Sequence, residues 1–249
     1  MLSPTPKRRL ELIDSIRGLT LVSMILYHFV WDMVYLYSFK WSWFYRADIW
    51  QQSICWTFII LSGFAFSLSR NSLKRGLIVF ISGIIITLVT LIATPKTRIV
   101  FGILTLLGSC MLILTPIKKL LAKIPSGLGM ILSFSAFLFT RNCNRGYLGF
   151  GNFKLDLPDF LYSNYLTAYL GFPSHSFYSS DYFAIFPWIF LFVFGFFIFK
   201  LLEKYNLIEK LFLKGKIPVI SFLGKHSLVV YLLHQPIIYG LCEAIKYFS

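Results

Sequence analysis

The sequence predicts an all-α, polytopic membrane protein of about seven transmembrane helices. Its N-terminus is expected in the cytosol, and residues 141–182 are expected to form an ordered outer loop. Three observations carry that expectation. The 249-residue chain is 57% hydrophobic and 14% charged, with mean hydropathy +0.72, whereas soluble domains are about 25% charged. Seven runs approach or exceed the roughly 20 apolar residues that a bilayer requires: 12–37, 50–69, 76–94, 99–116, 126–140, 183–202 and 226–247. The basic residues also fall unevenly between the two sides of those runs. Fourteen (Lys7, Arg8, Arg9, Arg70, Lys74, Arg75, Lys118, Lys119, Lys123, Lys200, Lys204, Lys210, Lys214, Lys216) lie on the side of the N-terminus, against eight opposite (Lys40, Arg46, Lys96, Arg98, Arg141, Arg145, Lys154, Lys246). The positive-inside rule makes the richer side cytosolic.

The first run follows Pro6-Lys7-Arg8-Arg9 and has no small-residue cleavage site, so it reads as a retained helix and not a removed signal peptide. It carries Arg17 and His28. Eleven residues turn an α-helix by almost whole revolutions, so the two project within about 20° of each other, with Asp14 and Asp32 about 60° away on one side. Along the axis His28 lies about 16 Å beyond Arg17. One helix face thus bears acid, fixed cation, titratable imidazole and acid. Ionisable groups inside a span are costly, and function is their default explanation. In a structural reading His28 hydrogen-bonds a neighbouring helix, and Arg17 anchors the cytosolic end against Asp14. In a functional one His28 is a general base that Asp32 orients, and Arg17, which stays charged, binds anionic groups. Gly18 permits close approach of a helix or a ligand.

The second and third runs qualify by length and apolarity. The fourth opens with Gly102 and Gly108, six apart, which admit close packing or a ligand. The fifth is short. The loop at 141–182 contains Asp156, Asp159, His175 and Asp181 among eleven aromatic residues. Loops this long are functional or disordered, and the aromatics argue against disorder. A folded cap over the outer mouth of the bundle is expected, with aromatic and acidic groups that suit a sugar or amine; an interfacial aromatic belt explains the rings equally well. The sixth run leads into a basic amphipathic linker at 203–218, expected on the cytosolic membrane face. The seventh holds His234, a structural partner or a second site residue, and Pro236, which frees the carbonyl of Leu232.

The formal net charge of +14 fits cytosolic loops, so no nucleic-acid partner is expected. Cys55, Cys110, Cys143 and Cys242 have no metal-type spacing, and neither a metal site nor a disulfide framework is expected. No internal repeat or low-complexity tract occurs, so residues 1–249 read as a single domain.

Arg17-X10-His28 within Ile13-Asp14-Ser15-Ile16-Arg17-Gly18, with Met24 before the histidine, resembles the first helix of the transmembrane acyltransferase superfamily. Phe101-Gly102-Ile103-Leu104 with Gly108, Asp181-Tyr182-Phe183 through Pro187-Trp188, and Ser227 through Leu232-Leu233-His234-Gln235-Pro236 extend the likeness over nearly the whole chain. The chain is most similar to the bacterial branch, once named as a domain of unknown function, that is like the heparan-α-glucosaminide N-acetyltransferase catalytic domain. The chain departs from the pattern in two places. Phe39, Lys40 and Trp41 stand where one branch carries its active histidine, and Thr105 stands where many bacterial relatives have histidine.

The resemblance implies transfer of an acyl group, most simply acetyl from cytosolic acetyl-CoA, to a hydroxyl or amine of an extracytoplasmic saccharide. The setting would be a bacterial cytoplasmic membrane. By resemblance His28 takes the place of the catalytic histidine and Arg17 that of its paired basic residue. Asp32 is expected beside His28, Gly18, Gly102 and Gly108 on the donor, and Asp181 and His234 at a substrate or second site. General-base and covalent acyl-histidine routes both remain open, as does assembly into an oligomer. Two rivals stand: a solute or proton-coupled transporter that uses the same polar track, and a membrane scaffold.

Overall fold

The computed structural model describes residues 11–208 and 217–248. Lys7, Arg8, Arg9, Lys210, Lys214, Lys216 and half of the expected linker at 203–218 lie outside the described residues. Nine helices are described: α1 (Glu11–Tyr35), α2 (Asp48–Leu68), α3 (Ser72–Ala93), α4 (Ile103–Leu121), α5 (Ser126–Thr140), α6 (Tyr165–Leu170), α7 (Trp188–Lys204), α8 (Pro218–Lys225) and α9 (Ser227–Phe248). An antiparallel hairpin joins β1 (Tyr147–Phe150) to β2 (Phe153–Asp156), with Tyr147 opposite Asp156 and Phe150 opposite Phe153.

Among the described residues, five helices are long and apolar enough to cross a membrane: Glu11–Tyr35, Asp48–Leu68, Ser72–Ala93, Ile103–Leu121 and Ser227–Tyr247. The protein is an all-α polytopic membrane protein. Every expected run coincides with a helix, but α5 and α7 have 15 and 17 residues, about 22 and 26 Å at 1.5 Å per residue. That is short of a hydrocarbon core of about 30 Å. The sixth run starts at Trp188 instead of 183 because Phe183, Ile185 and Phe186 donate their N–H groups to the carbonyls of Phe101, Tyr169 and Leu170 at 2.8–3.0 Å. A segment committed to those partners cannot also close helical bonds. α3, by contrast, begins before its apolar run, since Ser72, Lys74 and Arg75 continue the helix into its polar end.

The chain divides into two compact units, residues 1–58 with 202–249 and residues 59–201. In the first, α1 packs on α8 and α9. α8 has no counterpart among the expected runs, being only 8 residues long. It meets α1 backbone to backbone: a Cβ on Gly18 would collide with the carbonyl of Ile220, and one on Gly224 with the carbonyl of Asp14. Small residues permit such approach where burial from water cannot drive association. Leu21, Met24 and Ile54 form one buried cluster, ringed by Tyr27, Trp50, Val230 and Tyr231. Met33, Ile238 and Cys242 form another. Trp50 donates its indole N–H to Ser23 at 2.8 Å.

In the second unit α3 packs along α4, where Gly83 lies against Thr105 and Gly108 against Phe80. The later turns of α2 meet α7 through a reciprocal pair, Gly63 under the carbonyl of Phe192 and Gly195 under that of Ile60. Lys118 donates to the carbonyls of Phe66 and Ser69 at 2.7 and 2.8 Å, satisfying acceptors that the end of α2 leaves open. The segment 141–182 is folded, as its aromatic content implied. Gly151 supplies the positive φ of 59° in the two-residue hairpin turn, and Asn164 caps α6 through the N–H groups of Leu166 and Thr167. Tyr162 and Tyr182 donate to the carbonyls of Cys143 and Ala168. All four cysteines are free thiols and buried.

Gly224→Val should disrupt the α1–α8 contact, costing about 1–3 kcal/mol as overpacking does and lowering the thermal midpoint in detergent. Gly240→Ala in α9, where a Cβ meets nothing within 4 Å, should leave that midpoint unchanged or raise it.

Candidate functional site

The polar face of α1 survives in three dimensions, but each group has its own partner. Arg17 pairs with Asp14 at 3.1 Å, one turn back on the same helix. Asp14 is buried. Gly18, beside Arg17, is filled by the Ile220 carbonyl of α8, so the neighbour that approaches it is a helix.

His28 and His234 come together. Their ring centroids lie 5.0 Å apart with planes tilted by 52°, although 206 positions separate them in the sequence. The Tyr27 ring stands edge-on to His28 at 5.8 Å. Nδ1 of His234 lies 2.5 Å from the carbonyl oxygen of Tyr231, one helical turn earlier. A carbonyl only accepts, so Nδ1 carries the proton and donates it, and the neutral ring keeps its lone pair on Nε2. His234 is buried. Its tautomer is set by the backbone.

Asp32 is fully buried. Its two carboxylate oxygens accept from Nε2 of Gln235 at 3.1 and 3.0 Å, and no hydrogen bond to the His28 ring occurs among the described residues. Asp32 therefore acts on α9 at the residue after His234, not on the imidazole four positions earlier on its own helix. Gln235 is the group that sequence reasoning passed over as a site residue. The available signal was an amide inside an apolar run, which needs a polar partner in the membrane. No pattern within either helix could tell that the partner was Asp32.

In the second unit Asp181 sits at the start of α4. Its Oδ2 accepts from the N–H of Ile103 at 3.4 Å, and a Cβ on Gly102 would approach that oxygen to 3.1 Å. Phe101, just before, has φ of 56°, an outlier for a bulky residue. Its strain is held by the Phe183 N–H on its carbonyl and by the rings of Tyr169 and Phe177, at 5.1 and 6.1 Å. Asp181 is half-buried; burial pushes its carboxyl up to about 6, against the Ile103 N–H, which lowers it. Tyr169 shares a 2.5 Å hydrogen bond with Ser109 of α4. Gly108 is occupied by the backbone of Phe80, and Thr105 is buried under Gly83. Asp181 and Gly102 are thus neighbours, whereas Gly108 is a packing position. His175 is exposed.

Chemically, the first unit offers two facing imidazoles, one with a defined acceptor nitrogen, next to an amide-tied carboxylate. The second offers a carboxylate at a helix N-terminus, next to a turn whose Phe101 packs on the rings of Tyr169 and Phe177. A protein-family model described as heparan-alpha-glucosaminide N-acetyltransferase, catalytic, matches residues 9–236. No curated protein and no solved structure matches the chain.

The Asp181 carboxyl lies above its ordinary value of 3.8, so its contribution to stability is complete below about pH 3.8 and is lost as pH rises through about 6. Between about pH 4 and about pH 7, the thermal midpoint of Asp181→Asn should therefore decline less steeply than that of the unsubstituted protein in parallel melts.

Proposed function

We propose, for a chain that belongs to the heparan-α-glucosaminide N-acetyltransferase catalytic-domain family, that the histidine-bearing face of α1 carries out acyl transfer from acyl-CoA to an extracytoplasmic glycan. The family is one of acetyltransferases, and the apolar helices make this member an integral membrane protein. The donor is acetyl-CoA, taken up from the cytosol. The acceptor is an amine or hydroxyl of a saccharide beyond a bacterial cytoplasmic membrane. The observation that carries the reading is the pairing of His28 with His234 across α1 and α9, since two facing imidazoles inside a span need a use.

In this mechanism His28 takes the proton from the acceptor amine or hydroxyl as its nitrogen or oxygen attacks the thioester carbonyl. The new C–N or C–O bond forms, the C–S bond breaks, and CoA leaves as thiolate. Arg17 binds the anionic end of the donor from a position about 16 Å along the helix from His28, exchanging part of its contact with Asp14 for phosphate. Asp32 is a positioning residue: through Gln235 it holds the Tyr231–Gln235 turn of α9 against α1. Within the second unit, Asp181 and the aromatic rings around Phe101 offer a carboxylate suited to the ammonium or hydroxyls of an amino sugar. The missing side chain at Gly102 lets Ile99 and Asp181 approach its backbone. Gly18 and Gly108 serve helix packing and do not touch the donor.

The test is CoA release by the purified full chain in lipid nanodiscs, with acetyl-CoA as donor and glucosamine or glucose as acceptor. His28→Ala should lower turnover by about 10²–10⁴-fold, the usual worth of a general base; full activity in that variant removes the proposed base. Arg17→Ala should raise KM for acetyl-CoA by about 10-fold or more, as loss of a charge-assisted hydrogen bond does, with a smaller effect on kcat. Solute flux across proteoliposomes with no CoA requirement would favour the transporter reading instead.

A further inference from the structure

His28 is supported as a base by its place on α1, but His234 has no part in that step, and its geometry asks for one. Three observations converge on it. Its ring faces His28 at a centroid separation of 5.0 Å. That separation is close to what a hydrogen bond of about 2.9 Å between two ring nitrogens requires, since each nitrogen lies about 1 Å from its ring centroid. Its Nδ1–H is committed to the Tyr231 carbonyl, which leaves Nε2 as the acceptor. Finally, the residue after it is tied by two hydrogen bonds to the fully buried Asp32, which holds this turn of α9 against α1. The bond to Tyr231 satisfies a buried donor, as any buried histidine requires; the facing imidazole is what a space-filling role would not need.

We infer that His28 and His234 form a proton relay, an inference that rests on the reading of His28 as the base. The acceptor proton moves to one ring nitrogen of His28, while the proton on the other ring nitrogen of His28 moves to Nε2 of His234. His28 ends neutral with its tautomer exchanged, and His234 ends as an imidazolium whose Nδ1–H still donates to Tyr231. The departing CoA thiolate takes up one proton as the relay runs back, and both rings return to their starting state. No oxidant, reductant or further reactant is required. The relay takes positive charge away from the ring next to the attacking group and gives it to the ring adjoining the Asp32–Gln235 clamp. His234 is then a positioning and proton-accepting residue that acts through His28.

Two measurements on the full chain in nanodiscs test this. The first uses protein labelled with [15N]histidine, which contains four histidines, His28, His175, His226 and His234. Nitrogen shifts should report Nδ1 protonated and Nε2 bare in His234. His28→Gln should move the His234 Nε2 resonance and leave those of His175 and His226 in place. The opposite tautomer, or an Nε2 resonance indifferent to His28→Gln, overturns the relay whether or not an acceptor has been identified.

The second measurement is acetyl transfer to glucosamine. His234→Gln should lower kcat by about 10²-fold with KM within about twofold. The doubly substituted His28→Ala, His234→Gln protein should be no slower than His28→Ala alone, because residues that act as a unit are not additive. A dependence of kcat on the deuterium content of the solvent should curve in the unsubstituted protein, with two protons in flight, and become linear in His234→Gln. Unchanged kcat in His234→Gln, or strictly additive losses, overturns the relay while leaving His28 as a base. Full activity in His28→Ala removes the base itself. His234→Asn, compared with His234→Gln by thermal midpoint, separates loss of the relay from loss of fold: if only the variant with a lowered midpoint loses kcat, the relay is overturned.

Discussion

The backbone contact between α1 and α8 is the constraint on which the arrangement of the first unit depends. Gly18 and Gly224 each lie against a carbonyl of the other helix, of Ile220 and Asp14 respectively, and any side chain at either position would push the helices apart. A contact of that kind fixes rotation as well as distance. With α1 locked at Gly18, ten residues before His28, the helical repeat determines which neighbour the His28 ring faces. That neighbour is α9, and the ring it meets is His234. A span that turned freely would present the same residues to lipid, where an unpartnered imidazole and a carboxylate are costly.

Elsewhere the polar groups of the first unit are spent on each other. Asp32 takes the amide of Gln235 twice, Arg17 takes Asp14, and Trp50 takes Ser23. In an apolar solvent the cost of an unmade hydrogen bond falls on the fold itself, so such pairs specify which helices meet. The histidine pair differs in kind. One ring is held by a backbone carbonyl, and the other lies tilted against it without a hydrogen bond of its own among the described residues.

The second unit reaches its geometry by another route. The segment before α7 spends its N–H groups on Phe101, Tyr169 and Leu170, and in doing so it brings Asp181 to the first turn of α4 and holds Phe101 in a left-handed conformation. A carboxylate is favoured at a helix N-terminus by the helix dipole, while burial of the same group raises its proton affinity. The two effects oppose each other, and burial wins. The segment 141–182 is ordered by tyrosine hydroxyls and main-chain bonds as well as by apolar packing.

Apolar runs made every long helix legible from the sequence, because a bilayer asks for length and hydropathy and both are properties of a continuous stretch. The Arg17–His28–Asp32 face was equally legible, being a matter of periodicity within one helix. α8 was not, since eight residues carry too little apolar length to be read as a membrane element, and the starts of α4 and α7 were missed because distant backbone bonds overrode hydropathy there. Nor did anything local pair His28 with His234, Asp32 with Gln235, or Asp181 with Ile103. The sequence by itself determined a polytopic helical membrane protein with ionisable groups on one face of its first span. Only the tertiary structure decided which side chains those groups meet, because partners that lie some two hundred residues apart are chosen by helix rotation and close glycine contacts, which no single segment encodes.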